Sequence, residues 1–139
     1  MYGPRQDPNG AYAAVIPRWI TALLKGECVT IFGDGETTRD FVFVGDVVKA
    51  NLLATTAKLE AVGQVYNVAS GSSVSLNTLY NHLCKAVGVK AEPLYADFRS
   101  GDIRHSSADA SKARRLLGFD ASVSLDQGLE FTVAAYRTQ

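Results

Sequence analysis

The segment Thr30–Phe41 constrains the fold more than any other part of this chain. It joins two short apolar runs, Val29–Phe32 and Phe41–Val44, and both are rich in the β-branched and aromatic residues typical of strands. Two glycines between the runs give the connection backbone angles that other residues rarely adopt. The segment therefore predicts two short strands joined by a tight, glycine-dependent turn.

A single arginine, Arg39, stands where the second of these runs begins. Its planar guanidinium matches the geometry of a carboxylate or a phosphate, so it is a candidate anion-binding residue. In the plainer interpretation the two strands form an ordinary hairpin, and Arg39 pairs on the surface with Asp34 or Asp40. The residues of this segment leave both interpretations open.

Length and composition favour a globular protein with one core. A chain of 139 residues can bury roughly two-thirds of the surface that its unfolded form exposes. The balanced net charge of zero argues against nucleic acid as a partner, because a basic surface is missing. No apolar run approaches the ~20 residues of a membrane span, and no secretory signal opens the chain. Cys28 and Cys84 match no metal or redox spacing, which favours reduced thiols and a cytoplasmic protein without a bound metal.

Periodicity and capping signals predict alternating helices and short strands, an α/β class of the α+β kind. Helices are expected at 14–25, 46–57, 76–87, 110–117 and 125–136. Strands are expected at 28–32, 40–44, 64–68 and 94–96. The expected N-caps are Asp46, Ser75, Asp109 and Ser124, the last within a capping box with Gln127, and glycines are expected to end three helices at 26, 88 and 118.

Motifs in four stretches carry a family resemblance. They are Tyr2–Pro17 (YGPRQDPNGAYAAVIP), Arg39–Val48 (RDFVFVGDVV), Arg99–Ser106 (RSGDIRHS) and Asp109–Ala113 (DASKA). In this order and spacing they resemble the C-terminal part of the extended short-chain dehydrogenase/reductases that act on nucleotide sugars. Within that family, the first stretch is most similar to the UDP-N-acetylglucosamine 4-epimerases.

Two motifs of the complete family are missing from this sequence. No Gly-x-Gly-x-x-Gly or Gly-x-x-Gly-x-x-Gly turn is present to hold the pyrophosphate of NAD. None of the six tyrosines has a lysine four residues later, so the catalytic Tyr-x-x-x-Lys pair is also absent. We therefore expect Met1 to open a fragment that lacks the N-terminal NAD-binding half and does not turn over substrate by itself.

The resemblance implies a domain organisation and a set of partners. Residues 46–70 would belong to the dinucleotide-binding (Rossmann) domain, and the rest of 1–139 to the substrate-binding domain. The partner would be a UDP-sugar, the cofactor would be NAD held by the missing half, and the whole protein would be a homodimer. The expected substrate-binding residues are Ala14, Val15, Ile31, Phe32, Arg39, Arg99, Asp102 and Ser106. No catalytic residue, cofactor-binding residue or metal ligand is expected.

Four of these positions would face the phosphates. By resemblance, Arg39 and Arg99 grip the diphosphate, and the backbone at Ala14 and Val15 approaches it from the start of a helix. The plain alternative for Arg99 is a solvated loop residue.

The other four would contact the nucleoside and the sugar. By resemblance, Ile31 and Phe32 line the uracil slot, Asp102 accepts hydrogen bonds from the ribose, and Ser106 is a small wall residue that leaves room for an N-acetyl group. The plain alternatives are core packing for Ile31, a turn former for Asp102 and a turn hydroxyl for Ser106. His82 and His105 are expected to be structural.

Two other functions stay open. Within the family, the chain could come from a 4,6-dehydratase, a decarboxylase or a uronate epimerase. In a different class, it could be a non-catalytic module that binds nucleotide sugars.

Overall fold

The computed structural model describes residues 1–10 and 14–138, which form a mixed α/β structure. The elements in chain order are α1 (Val15–Leu24), β1 (Thr30–Phe32), β2 (Thr38–Asp40), α2 (Val44–Thr55), a 3-10 turn (Leu59–Ala61), β3 (Ser73–Ser75), α3 (Leu76–Val87), β4 (Leu94–Ala96), β5 (His105–Ser106), α4 (Ser111–Leu117) and α5 (Leu125–Arg137). The predicted class and all five predicted helices are confirmed.

The strands form two small sheets. β1 pairs in parallel with β4, while β2 lies between β3, which is antiparallel to it, and β5, which is parallel. The hairpin of the plainer interpretation is wrong, because β1 and β2 belong to different sheets. Gly33 and Gly35, with φ of 82° and 76°, turn the chain from one sheet into the other.

Two strand predictions are also wrong. The second strand lies at Thr38–Asp40 and not at 40–44, because the apolar run after it is used for packing: Phe43 bridges to Tyr2, and α2 already begins at Val44. Residues 64–68 form no strand, since they pair with no other strand of the described chain, and Tyr66 and Val68 pack against a hydrophobic cluster instead.

The main core lies between α1, α3 and α5. Its centre is made of fully buried aliphatic side chains from these helices and from β1, and Trp19 packs edge-on against Tyr80 with ring centroids 5.9 Å apart. Each such side chain stabilises the fold by about 1.5–3 kcal/mol when fully buried. The main members are Ile16, Ile20, Leu23, Ile31, Leu79, Leu83, Leu129 and Val133.

Most helix ends follow the predicted chemistry. The Ser75 hydroxyl accepts a hydrogen bond from the Thr78 amide, and Ser124 with Gln127 forms a complete capping box. Gly88 ends α3 and Gly118 ends α4 in the left-handed conformation.

Two predicted caps are corrected. α2 begins at Val44, so Asp46 lies inside its first turn, and its carboxylate accepts hydrogen bonds from Ser122 and Val123 instead of capping the helix. α4 begins one residue later than predicted, although Asp109 still accepts a hydrogen bond from the amide of Ser111.

A second, smaller cluster joins α2, the 3-10 turn and α4. Its buried members are Ala50, Ala61, Ala113, Leu117 and Phe119. The outer face of this region exposes a group of large aliphatic side chains: Val48, Leu52, Leu59, Val62 and Val65. Within the described residues, no helix has both the length and the apolar character to cross a bilayer.

Candidate functional site

A cavity of about 560 Å³ lies beside α1, between β1, β2 and the loop that follows β4. This is within the usual size of a small-molecule site, about 300–1,000 Å³. Six of the eight predicted binding residues line it: Ala14, Val15, Phe32, Arg39, Arg99 and Asp102.

Arg39 enters the cavity from the central strand of the β3-β2-β5 sheet. Its guanidinium Nη1 donates to the carbonyl oxygen of Thr38 at 2.8 Å and to that of Arg104 at 3.5 Å. The surface ion pair with Asp34 or Asp40 is wrong, because Asp34 binds Arg104 and Asp40 accepts hydrogen bonds from Ser70 and Gly71. Among the described residues, no carboxylate neutralises Arg39.

Arg99 and Asp102 reach the same cavity from the loop between β4 and β5. The guanidinium carbon of Arg99 stands 3.7 Å from the centre of the Phe32 ring, a close cation–π contact. The Asp102 amide donates to the Arg99 carbonyl oxygen at 3.2 Å, so the two residues share one turn. Within the described chain, Arg99 also has no carboxylate within ion-pair distance.

The other two predicted binding residues lie elsewhere. Ile31 is completely buried in the main core, on the opposite side of β1 from Phe32. Ser106 is exposed in β5, where it pairs in register with Arg39, and it does not line the cavity.

Both histidines have structural partners. His105 shares a hydrogen bond with the Thr38 hydroxyl at 3.0 Å, next to the β2–β5 pairing. His82 on α3 pairs with Asp126 on α5, and this hydrogen bond is the main reason that the pKa of the Asp126 carboxyl lies below its usual value.

Sequence reasoning missed a third cation in the cavity, Arg18, together with the exposed thiol of Cys28. A signal for Arg18 was present. Position 18 lies three residues after Val15 and four before Ala22, so Arg18 shares one face of α1 with these two residues and with Trp19. The cavity therefore holds three guanidinium groups against one carboxylate, which gives it a positive charge suited to an anion.

A second cavity, of about 400 Å³, lies on the other side of Phe41. Its polar lining is mostly hydroxyl, from Ser70, Ser72, Ser122 and Ser124. The Ser70 and Ser122 hydroxyls already donate to Asp40 and Asp46. We therefore regard this cavity as a packing feature.

Comparisons with known proteins agree on one family. Residues 1–69 match the model of the NAD dependent epimerase/dehydratase family. A UDP-glucose 4-epimerase of Mycolicibacterium smegmatis is 42% identical over 139 residues, which are 100% of this chain and 44% of that protein. Related dehydratases and decarboxylases are also similar.

Solved structures give the same result. The UDP-glucose 4-epimerase of Thermotoga maritima, solved with UDP-glucose, is 44% identical with a TM-score of 0.91, over 99% of this chain and 43% of that one. The UDP-N-acetylglucosamine 4-epimerase of Methanobrevibacter ruminantium, in complex with UDP-N-acetylmuramic acid, is 39% identical with a TM-score of 0.91, over 99% of this chain and 44% of that one. The chain thus spans less than half the length of the relatives that it matches.

Proposed function

We propose that this chain is the C-terminal, UDP-hexose-binding portion of a nucleotide-sugar 4-epimerase of the NAD-dependent epimerase/dehydratase kind. The observation that carries the proposal is the meeting of Arg39 and Arg99 in one cavity, neither neutralised by a described carboxylate. A UDP-sugar carries a diphosphate of about two negative charges, and guanidinium groups bind phosphate oxygens through paired donors.

The remaining lining residues fit the nucleoside. The Phe32 ring offers an aromatic face beside Arg99, and Asp102 offers carboxylate oxygens to the ribose hydroxyls. Ala14 and Val15 stand at the start of α1, and Ala14 provides no side-chain cap, so the first amides of this helix are available to an anion.

We propose that the residues of this chain do not hold the pyrophosphate of NAD. Among the described residues, no helix follows a strand through a glycine-rich turn: α2 is reached through Phe41–Phe43, and α3 begins directly after β3. We propose that NAD is bound by a separate N-terminal half, which would also cover the exposed face around Leu52 and Val62. The cofactor supplies the hydride chemistry, and this chain binds the nucleotide part of the substrate.

An N-acetylated sugar is the proposed substrate. Ser106 pairs in register with Arg39, and its small side chain would leave space beside the diphosphate for an acetamido group. We propose UDP-N-acetylglucosamine and UDP-N-acetylgalactosamine as the epimerised pair. Mixed with NAD and either sugar, the 139-residue chain alone should give no epimer, because it lacks the Tyr-x-x-x-Lys pair.

The test is calorimetric titration of UDP into the chain and its variants. Arg39→Ala should weaken UDP binding by about 1.5–3 kcal/mol, or about 10–150-fold, as expected for the loss of a charge-assisted contact. Arg39→Lys should restore only part of the affinity, because an ammonium cannot reproduce the planar donor pair. Arg114→Ala is the matched control, since Arg114 is exposed on α4 and outside the cavity.

Two results would contradict the proposal. An unchanged dissociation constant for UDP in Arg39→Ala would mean that Arg39 only supports the sheet. Tighter binding of dTDP-sugars than of the matching UDP-sugars would instead favour a 4,6-dehydratase of the dTDP-glucose kind.

A further inference from the structure

The loop that brings Arg99 and Asp102 into the cavity has little support of its own. Every residue of the loop Asp97–Ile103 is exposed. Its internal backbone hydrogen bond, from Asp102 to Arg99, holds the turn together but does not fix the turn to the rest of the protein. Apart from the contact of the Arg99 guanidinium with the Phe32 ring, the position of the loop therefore depends on contacts at its two ends.

Arg104 makes most of these contacts. Its Nη2 lies 2.6 Å from Oδ2 of Asp34, in the turn between β1 and β2. Its guanidinium carbon lies 5.4 Å from the centre of the Phe98 ring, at the opposite end of the loop. Its carbonyl oxygen accepts the amide of Thr38 at 2.9 Å and is 3.5 Å from Nη1 of Arg39. One residue thus contacts the turn, both ends of the loop and the other binding arginine.

Asp34 is a firm anchor for this ion pair. Its Oδ1 accepts the amide of Glu36 at 2.9 Å, and its carbonyl oxygen accepts a hydrogen bond from the Asn77 side chain at 3.1 Å. The amide of Asn77, in the first turn of α3, in turn donates to the carbonyl oxygen of Gly35 at 3.0 Å. The turn is therefore fixed to a helix of the main core, and the Arg104 hydrogen bond lowers the pKa of the Asp34 carboxyl.

The same turn allows Phe98 to approach closely. A Cβ on Gly33 would overlap the Phe98 ring, and the φ of 82° at this position also favours glycine. Phe98 rests on the backbone of the turn while Arg104 binds its side chain. Both ends of the loop thus contact the same three-residue segment, Gly33–Gly35, in the turn between β1 and β2.

We propose that Arg104 is a positioning residue for nucleotide binding, acting through its ion pair with Asp34 to hold Arg99 and Asp102 against Arg39. The identity of the ligand in this inference rests on the proposed function, but the attachment of the loop to the Gly33–Gly35 turn does not. The side chains of the pair are 48% and 45% exposed, and half-exposed pairs contribute little to global stability, so the effect of the pair is local.

The experiment compares this pair with a second one of the same kind. Arg114 and Asp120 lie 2.7 Å apart with side chains 61% and 68% exposed, and neither lines the cavity. The test variants are Arg104→Gln, Asp34→Asn, both together, and the exchange Asp34→Arg with Arg104→Asp. The control variants are Arg114→Gln and Asp120→Asn. UDP titration, thermal unfolding and backbone hydrogen exchange are measured for each.

Each single test variant should weaken UDP binding by about three- to tenfold, and the double variant should be no weaker than the worse single one, because both remove the same contact. The exchanged pair should recover only part of the affinity, since Asp34→Arg also removes the acceptor for the amide of Glu36. Amides of the loop should exchange faster in the single variants, and midpoints of unfolding should stay unchanged. The control variants should bind UDP as the unaltered chain does.

Additive losses, no recovery in the exchanged pair, or equal losses in the control pair would overturn the proposal. If the unaltered chain does not bind UDP, the proposed function fails, and the attachment of the loop by the Arg104–Asp34 pair is still tested by hydrogen exchange. Unchanged exchange of residues 97–103 in both Arg104→Gln and Asp34→Asn would then overturn the positioning role of Arg104.

Discussion

Asp46 provides the sharpest test of how the fold is held together. Its carboxylate is buried, with 2% of the residue exposed, and it accepts three hydrogen bonds from the chain that leads into α5. Oδ1 accepts from both the amide and the hydroxyl of Ser122 at 3.0 Å, and Oδ2 accepts from the amide of Val123 at 3.2 Å. The side chain thus ties the first turn of α2 to the segment before α5.

The change Asp46→Asn keeps the shape of the side chain and one acceptor oxygen. With that oxygen facing Ser122, the new NH2 group faces the partly buried amide of Val123, so this donor loses its acceptor. Such a loss costs about 1–3 kcal/mol. Asp46→Ala removes all three bonds, but Ser122 is exposed and can bond to water, so the expected loss is about 2–4 kcal/mol.

Asp40 is a matched comparison from the same chain. Its Oδ1 accepts from the amide and the hydroxyl of Ser70, and its Oδ2 accepts from the amide of Gly71, which is the same three-bond arrangement. Asp40 is only half-buried and Gly71 is exposed. Because water can replace the lost bonds there, Asp40→Asn should cost about 0.5–1.5 kcal/mol.

The measurement is urea unfolding followed by circular dichroism, with thermal unfolding as a second probe. For a chain of this size, each kcal/mol should lower Tm by about 4 °C. The Asp46→Asn variant should therefore unfold at a clearly lower urea concentration and a clearly lower temperature than Asp40→Asn. The dependence of the unfolding free energy on urea concentration should be the same for both variants. Equal losses at the two positions would refute the argument that burial makes these bonds matter.

Three further predictions concern separate parts of the molecule. Gly128→Ala should destabilise the chain by about 1 kcal/mol despite the better helix propensity of alanine, because the new methyl overlaps the Tyr2 hydroxyl; adding Tyr2→Phe should recover part of the loss in urea unfolding. The hydrogen bond with His82 is the main cause that lowers the pKa of Asp126, so the ionised carboxylate stabilises the fold fully above the unfolded pKa of about 3.9, and this stabilisation is lost as pH falls through the lower folded pKa. The free energy of unfolding of Asp126→Asn should therefore change less with pH below about pH 4 than that of the unaltered chain. In the proposed full-length epimerase, Ser106→Tyr should abolish turnover of the N-acetylated sugar pair and spare the non-acetylated pair, and equal loss on both would mean that this residue only supports the β2–β5 pairing.

Local chemistry explains why the helices and their ends were predictable. Ser75, Gly88, Gly118 and the Ser124–Gln127 capping box act through neighbours within a few residues, so the signal is contained in the local sequence. The resemblance to the C-terminal part of the nucleotide-sugar short-chain dehydrogenase/reductases is likewise confirmed, because it rested on several motifs in a fixed order.

The strands expected at 28–32 and 94–96 are present, but the second strand was misplaced because the partners of β2 are distant in sequence. β2 is made of Thr-Arg-Asp, in which only threonine favours strands, and it exists because β3 and β5 pair with it on both sides. The neighbouring Phe41–Val44 has the higher propensity but turns toward Tyr2 and α2. Asp46 failed as a cap for the same reason, since its partners Ser122 and Val123 are invisible to local reasoning.

The two arginines proposed to bind the diphosphate owe their positions to different kinds of structure, and this difference has a consequence. Arg39 stands on a central strand, with ladder partners on both sides and its guanidinium held by the Thr38 carbonyl oxygen. Arg99 stands on an exposed loop and rests on Phe32, an aromatic face that a nucleobase could also occupy. Arg39 is therefore a fixed reference point, while Arg99 can move when a ligand enters. Changes in the main core should then lower stability before they lower affinity, and changes in the loop or its Asp34 anchor should lower affinity first.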